Sequence, residues 1–305
     1  MPRISQIPTN DEYLLLADAY KNSGKSTQSA YRSNYFKMYS ALNNREIHTV
    51  SETAIINAVD ALNIKNVNTK SALLNIAVVV RRLPEYELKV SKLVIQREKL
   101  REVIIEHTKT NNDAINLPSY SDIVNHMDNL YTTGDYRGYI INYLLIHFQT
   151  RNQDLNFTIV SKKRDMNGID KNFLWLNIKK KMVVYKRSMY KTNKIYGSLI
   201  QEITDKKFIT ALKAISRLQD KKDPKGTFIK NVSSLAGYVM KYTLNGLGES
   251  KNNGLGESKY VKIIINHFKN DLQALTQIST NRGTSIATLI AFYDINNNNN
   301  EKPPL

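Results

Sequence analysis

Apolar residues in the N-terminal third recur at helical spacing. Tyr31, Tyr35, Met38 and Leu42 fall on one helix face, with Ser26 or Thr27 ahead of them as a cap. Ile55, Val59 and Leu62 form a second stripe, and Leu73, Ile76, Ala77 and Val80 a third. A longer, charge-laced stretch predicts a helix from Glu85 to His107. Short helices with narrow apolar stripes bury those stripes best against one another, so residues 1–110 read as a small helical bundle. Arg32, Lys37, Arg81 and Arg82 are expected on its outer faces, as solvated surface or as phosphate contacts.

The pattern breaks in the polar stretch 108–122, which contains Pro118, and the linker is placed at 111–117. Ser119 with Asp122 three residues on predicts a capped helix start; Ile123, Met127 and Leu130 follow on one face, and Gly134 ends it. Asp135 caps a second, buried helix carrying Ile140, Ile141, Leu144, Leu145 and Phe148, which runs out in QTRNQDL. The period then changes. NFLWLNI (172–178) and KMVVYKR (181–187) are rich in aromatic and β-branched residues and predict strands. Helical spacing returns at Phe208, Ala211, Leu212 and Ile215, and again at Leu235, Val239 and Tyr242. NGLGESK occurs at 245–251 and at 253–259; with two Gly per copy it is expected to be a loop. KYVKIIINHF, DLQALTQI and TSIATLIAFY predict three closing helices, and the Asn-rich tail, 295–305, is expected to be disordered. The fold expected is mainly α with a small β-sheet (α+β), in two domains, 1–110 and 118–294.

Charge narrows the partner. The 305 residues carry 44 Lys+Arg against 27 Asp+Glu, a net charge of +17 and a pI near 9.7, which points to a polyanion. The charge is not evenly spread: residues 161–194 hold 11 Lys+Arg and two Asp, a net +9. Lys162, Lys163, Arg164, Lys179, Lys180, Lys181, Lys186, Arg187 and Lys194 are the expected contacts to double-stranded DNA, with a lysine-protected edge strand as the plainer alternative. The absence of Cys excludes disulfides, thiolate metal sites and thiol catalysis. No apolar run reaches the roughly 18 residues of a membrane span, and MPRISQIPTNDEY lacks the apolar core of a secretory signal. A soluble, intracellular protein with no membrane partner is expected.

Familiar enzyme motifs are missing. NSGKST (22–27) lacks the upstream Gly of a phosphate-cradling loop, having Ala19 there, and reads as a helix cap. His48, His107, His126, His147 and His267 show no metal-ligand spacing. No Ser sits in a nucleophile elbow. What stands out instead is an order of residues: Arg151 with Asp154 after a buried helix, Lys191-Thr192 after the basic strands, and Arg282-Gly283-Thr284-Ser285 leading a helix that ends in Tyr293.

In that order and spacing the chain, from about residue 25 to 294, resembles the tyrosine recombinase (phage-integrase-like) family. The resemblance implies a helical core-binding domain followed by a catalytic domain that clamps duplex DNA. It implies Arg151 as the first catalytic Arg, Asp154 as its acidic buttress, Lys191 as the hairpin lysine with Lys194 in reserve, and Tyr293 as the nucleophile. It also implies a homotetramer on two duplexes and no metal or other cofactor. Site-specific strand cleavage and rejoining, as in recombination or integration, would pass through a 3′-phosphotyrosine. The chain departs from the pattern at three points. Lys259 and Lys262 stand where the family has His-x-x-Arg, and Thr284 stands where it has a later His or Trp, with Arg282 nearby as a replacement cation. Lysine is a point charge without the guanidinium fork. A non-catalytic relative acting as an architectural DNA binder is therefore a second expectation. A type IB topoisomerase-like nicking–closing enzyme is a third, disfavoured by the helical N-terminal half. Asn, Lys, Ile and Tyr richness fits an AT-rich genome such as that of a virus or mobile element.

Overall fold

In the computed structural model, the described residues are 10–113, 117–168, 171–222, 227–229, 232–245 and 254–293. The chain divides into two compact units, 1–108 and 109–305. The fold is mainly helical with one small sheet, an α+β arrangement.

The first unit holds α1 (Asp11–Ala19), α2 (Lys25–Ala41), α3 (Glu52–Ala61), α4 (Val67–Arg81) and most of α5 (Ser91–Asp113). Most of the predicted stripe residues form its core: Tyr35, Met38, Leu42, Ile55, Val59, Leu73, Ile76, Ala77 and Val80 are buried and Tyr31 packs against them, while Leu62, at the C-cap of α3, is exposed. Three details differ from the sequence reading. Gly24, not Ser26 or Thr27, is the N-cap of α2, and it offers no side-chain bond. The long helix starts at Ser91 rather than Glu85 and runs through Asp113, so the first three residues of the expected linker are helical; 114–116 lie outside the described residues. Arg81 is not on the surface: it is 8% exposed and donates to the carbonyls of Val50 (2.7 Å) and Lys89 (3.2 Å). Arg32, Lys37 and Arg82 are exposed as expected. The buried Glu12 carboxylate accepts from Tyr35 Oη (2.8 Å) and from the amides of Ile47 (2.9 Å) and His48 (2.8 Å), which fixes the turn ahead of α3.

The second unit opens with α6 (Tyr120–Thr132), whose Ser119–Asp122 capping box is formed, and α7 (Tyr136–Phe148), capped by Asp135. α7 is apolar nearly all round because it lies in the middle of the unit, and Ile140, Ile141, Leu144 and Leu145 are fully buried. A sheet follows, in the order β1 (Phe157–Val160), β2 (Asn172–Asn177), β3 (Met182–Arg187), β4 (Leu199–Ile203). β1 runs parallel to β2; the other pairings are antiparallel. The two predicted strands are β2 and β3, each within a residue of its expected ends. β1 and β4 escape a sequence reading because they are short and sit at the edges, where a full apolar face is not required.

Side chains alternate across β2 and β3. Leu174, Leu176, Val183 and Tyr185 join the main core, which includes α7 residues and Phe208, Leu212 and Ile215 of α9 (Lys206–Lys222). Phe173 and Val184 form a separate small cluster on the outer face with Met166, and Trp175 and Met182 pack against it. The one-turn α8 (Asn193–Tyr196) lies between β3 and β4, and α10 (Leu235–Met240) follows α9. The three predicted closing helices are α11 (Glu257–His267), α12 (Leu272–Arg282) and α13 (Ile286–Tyr293). The second NGLGESK copy is not all loop: Gly256 is the N-cap of α11 and Glu257 begins it. Residues 246–253, and the tail from 294, lie outside the described residues.

Candidate functional site

Chain reversal at the end of α7 sets the first part of the site. Gln149 takes a left-handed conformation (φ 44°), and Arg151 follows as the chain enters a single 3₁₀ turn, Asn152–Leu155. Asp154 Oδ2 accepts the backbone amide of Arg151 at 3.0 Å. Asp154 is 1% exposed and lies 3.5 Å from Arg187 Nη1. Burial raises its carboxyl above the ordinary value, opposed by the Arg151 amide and by the charges of Arg187 and Arg151.

Arg187 is the clearest correction to the sequence reading. It is fully buried, not a DNA contact. Its guanidinium donates to the Asn281 carbonyl (2.9 Å) and to Gln201 Oε1 (3.1 Å), besides facing Asp154. Its position is the last of β3, pointing into the main core, a placement set by the parity of the strand.

The closing helices supply the rest. Arg282, the last residue of α12, is 4% exposed. It donates through Nη1 to the Gln149 carbonyl (2.9 Å) and through Nη2 to Glu257 Oε1 (2.9 Å); the same Nη2 is 3.4 Å from Tyr293 Oη. Glu257 Oε2 accepts the Asn152 amide at 2.7 Å, so this carboxylate ties α11 to both the Arg151 turn and α12. Sequence reading missed Glu257 because it fell inside a repeat taken for a loop. Arg151 belongs to the same cluster. Burial, then the charge of Arg282, holds its guanidinium below the ordinary value, against the opposing pull of Asp154, Glu257 and Tyr293. Among the described residues its Nη1 is buried with no hydrogen-bond partner. Tyr293 is half-buried at the end of α13, with its carbonyl held by Asn266 (3.3 Å) and the Arg282 guanidinium over its ring.

Lys191 is exposed on the loop between β3 and β4. That loop is well anchored. Asn172 Oδ1 accepts the amides of Ser188 (2.9 Å) and Met189 (2.7 Å), and Thr192 Oγ1 donates to the Gly283 carbonyl (3.0 Å). Lys191 is thereby carried beside the turn that joins Arg282 to α13. Gly283 is left-handed (φ 55°), and a Cβ there would clash with Thr192 Oγ1, so the turn favours glycine. Thr284, next to it, is half-buried; its amide donates to the Ser279 carbonyl and its own carbonyl accepts from Ser279 Oγ.

Lys259 and Lys262 lie further along α11 than Glu257. At 3.6 residues per turn, Lys262 lies about 140° around α11 from Glu257, with Lys259 on the same side as Lys262. Burial, then the charge of Lys259, lowers the Lys262 ammonium below its ordinary value. Of the expected DNA contacts, Lys162, Lys163, Arg164, Lys179, Lys180, Lys181 and Lys194 are exposed. Lys186 is half-buried and donates to the Met166 carbonyl at 3.0 Å. No group of His, Asp and Glu among the described residues is placed to hold a metal ion, and no helix among them is long and apolar enough to cross a membrane.

Two guanidiniums, a carboxylate and a phenol are thus gathered where the Arg151 turn, the start of α11 and the ends of α12 and α13 meet. No family model matches the sequence, and no curated protein matches it. Seven chains among the solved structures match; one, titled "Crystal structure of XerA recombinase", aligns over 94% of this chain and 95% of its own, at 12% identity and a TM-score of 0.39.

Proposed function

We propose that the protein cleaves and rejoins DNA through Tyr293. The observation that carries this reading is the placement of Tyr293 Oη 3.4 Å from Arg282 Nη2, in a cluster with the partnerless Nη1 of Arg151. In the reaction the Tyr293 hydroxyl releases its proton to solvent as its oxygen bonds to phosphorus, and the P–O5′ bond breaks. Arg151 and Arg282 bind the non-bridging oxygens, where charge grows in the transition state. Lys191 gives its proton to the departing 5′ oxygen. Rejoining is the same step reversed, with the 5′-hydroxyl attacking the 3′-phosphotyrosine. Asp154 holds the Arg151 backbone, and Glu257 holds Arg282. Lys162, Lys163, Arg164, Lys179, Lys180, Lys181 and Lys194 contact duplex phosphates. The working unit is a tetramer on two duplexes.

A denaturation-resistant adduct on nicked suicide DNA tests this. The adduct should form with the wild-type chain and vanish in Tyr293→Phe; an adduct that survives the substitution overturns the assignment. One observation favours a second reading, a DNA binder without cleavage: Glu257 takes a donor of Arg282 and lessens the positive field where phosphate would sit. Salt-sensitive binding with no adduct would support that reading. Relaxation of supercoiled plasmid without site preference would instead mark a nicking–closing enzyme.

A further inference from the structure

We infer that the outer face of the sheet is a second site, which binds an unpaired base of single-stranded DNA by stacking it on Trp175. Alternation along β3 separates the two sites: Arg187 points to the Asp154 side, and its neighbour Lys186 points to the other face. On that face lies a cavity of about 240 Å³. Its wall is apolar and polarizable, made by Trp175, Met166, Met182, Val184 and Ile200. Nothing in the second unit's main core includes these side chains, and Ile200 is 64% exposed. Trp175 Nε1 donates to the Ser161 carbonyl at 3.2 Å, which fixes the indole in place.

Charge selects the occupant. Lys163, Lys180 and Lys186 line the cavity against a single carboxylate, Glu202, so its surroundings are net positive. An apolar wall with an aromatic ring, set among ammonium groups, suits a ligand with a flat π-face and attached negative charge. A nucleotide has both. A base within a duplex is stacked on both sides and has no face to offer a recessed indole, so the ligand is single-stranded. This site does not depend on cleavage by Tyr293.

Trp175 is the only Trp in the chain, so its emission reports on this cavity alone. The experiment titrates the full chain with an oligothymidylate of about ten nucleotides, following Trp emission and, in parallel, the anisotropy of a labelled oligonucleotide. Emission should be quenched along the same curve as the anisotropy. An abasic oligonucleotide of equal length should bind through phosphate without quenching. With three lysines engaged, log affinity should fall with log salt at a slope of about −2. Trp175→Leu should weaken anisotropy-detected binding about 5- to 150-fold, and Trp175→Phe, which keeps an aromatic face and tests for misfolding, by much less. Binding without quenching, or equal quenching by the abasic strand, overturns the proposal. So does quenching by an acidic apolar peptide where the oligonucleotide gives none, which would make the face a protein contact.

Discussion

Asp154 and Arg187 form a buried pair next to the Arg151 backbone, and their energetics follow from burial. Removing one partner leaves the other charge without compensation, so Arg187→Ala should cost about 3–5 kcal/mol in urea denaturation. The carboxyl of Asp154 is raised above its ordinary value. A raised carboxyl pKa means the folded chain holds a proton that the unfolded chain has released. Between the unfolded value near 3.9 and the folded value, that group makes stability fall as pH rises. Asp154→Asn removes this contribution, so stability should depend on pH with a slope more positive by up to about 1.4 kcal/mol per pH unit in that window. Urea titrations at a series of pH values from about 4 upward read it directly; an unchanged slope would mean the carboxyl titrates alike in both states. At Arg282 the prediction is chemical. Arg282→Ala should lower adduct formation about 100- to 1000-fold, as expected for loss of one donor to a developing oxyanion. Arg151 and Asp154 were legible in the sequence because they are neighbours in it. Glu257 was not, because its partners Asn152 and Arg282 are far away along the chain and its own segment looked like a repeat loop.

Elements, rather than residues, decide where Lys191 goes. The loop from β3 to β4 is pinned by Asn172 at its base and by Thr192 at the Gly283 turn. Gly283→Ala combines a left-handed backbone with a Cβ driven into Thr192 Oγ1 and set 3.2 Å from the Tyr190 ring. It should destabilise the unit by about 1–3 kcal/mol and reduce adduct formation by displacing Lys191. A milder variant separates the two effects: Thr192→Val removes the bond to the Gly283 carbonyl with little change of volume. It should lower the cleavage rate while costing only about 1 kcal/mol of stability. Equal rates for Thr192→Val and wild type would remove the loop from the chemistry. Most helices were readable from their periodicity, because an amphipathic helix writes its buried face into its own spacing. The start of α5 and the short strands β1 and β4 were not, since helix ends are set by local capping and edge strands by their pairing partner.

For the molecule as a whole the decisive quantity is charge. Seven of the expected phosphate contacts are exposed: Lys162, Lys163, Arg164, Lys179, Lys180, Lys181 and Lys194. If all seven touch duplex DNA, log affinity should fall with log salt at a slope of about −6, and replacing Lys179, Lys180 and Lys181 by Ala should flatten it by about 2.7. Filter binding across a salt series measures both; a slope near zero would remove phosphate as the main partner. The sequence by itself determined the helical and strand periodicities, the change of pattern near residue 110, the basic stretch at 161–194 and the Arg151–Asp154 pair. These are properties of near neighbours, or sums that need no geometry. The tertiary structure alone decided that Arg187 is buried while Lys186 faces outward, that Glu257 reaches Arg282, and that Arg282 lies against Tyr293. Each depends on which face of an element meets another element, and packing between distant segments settles that.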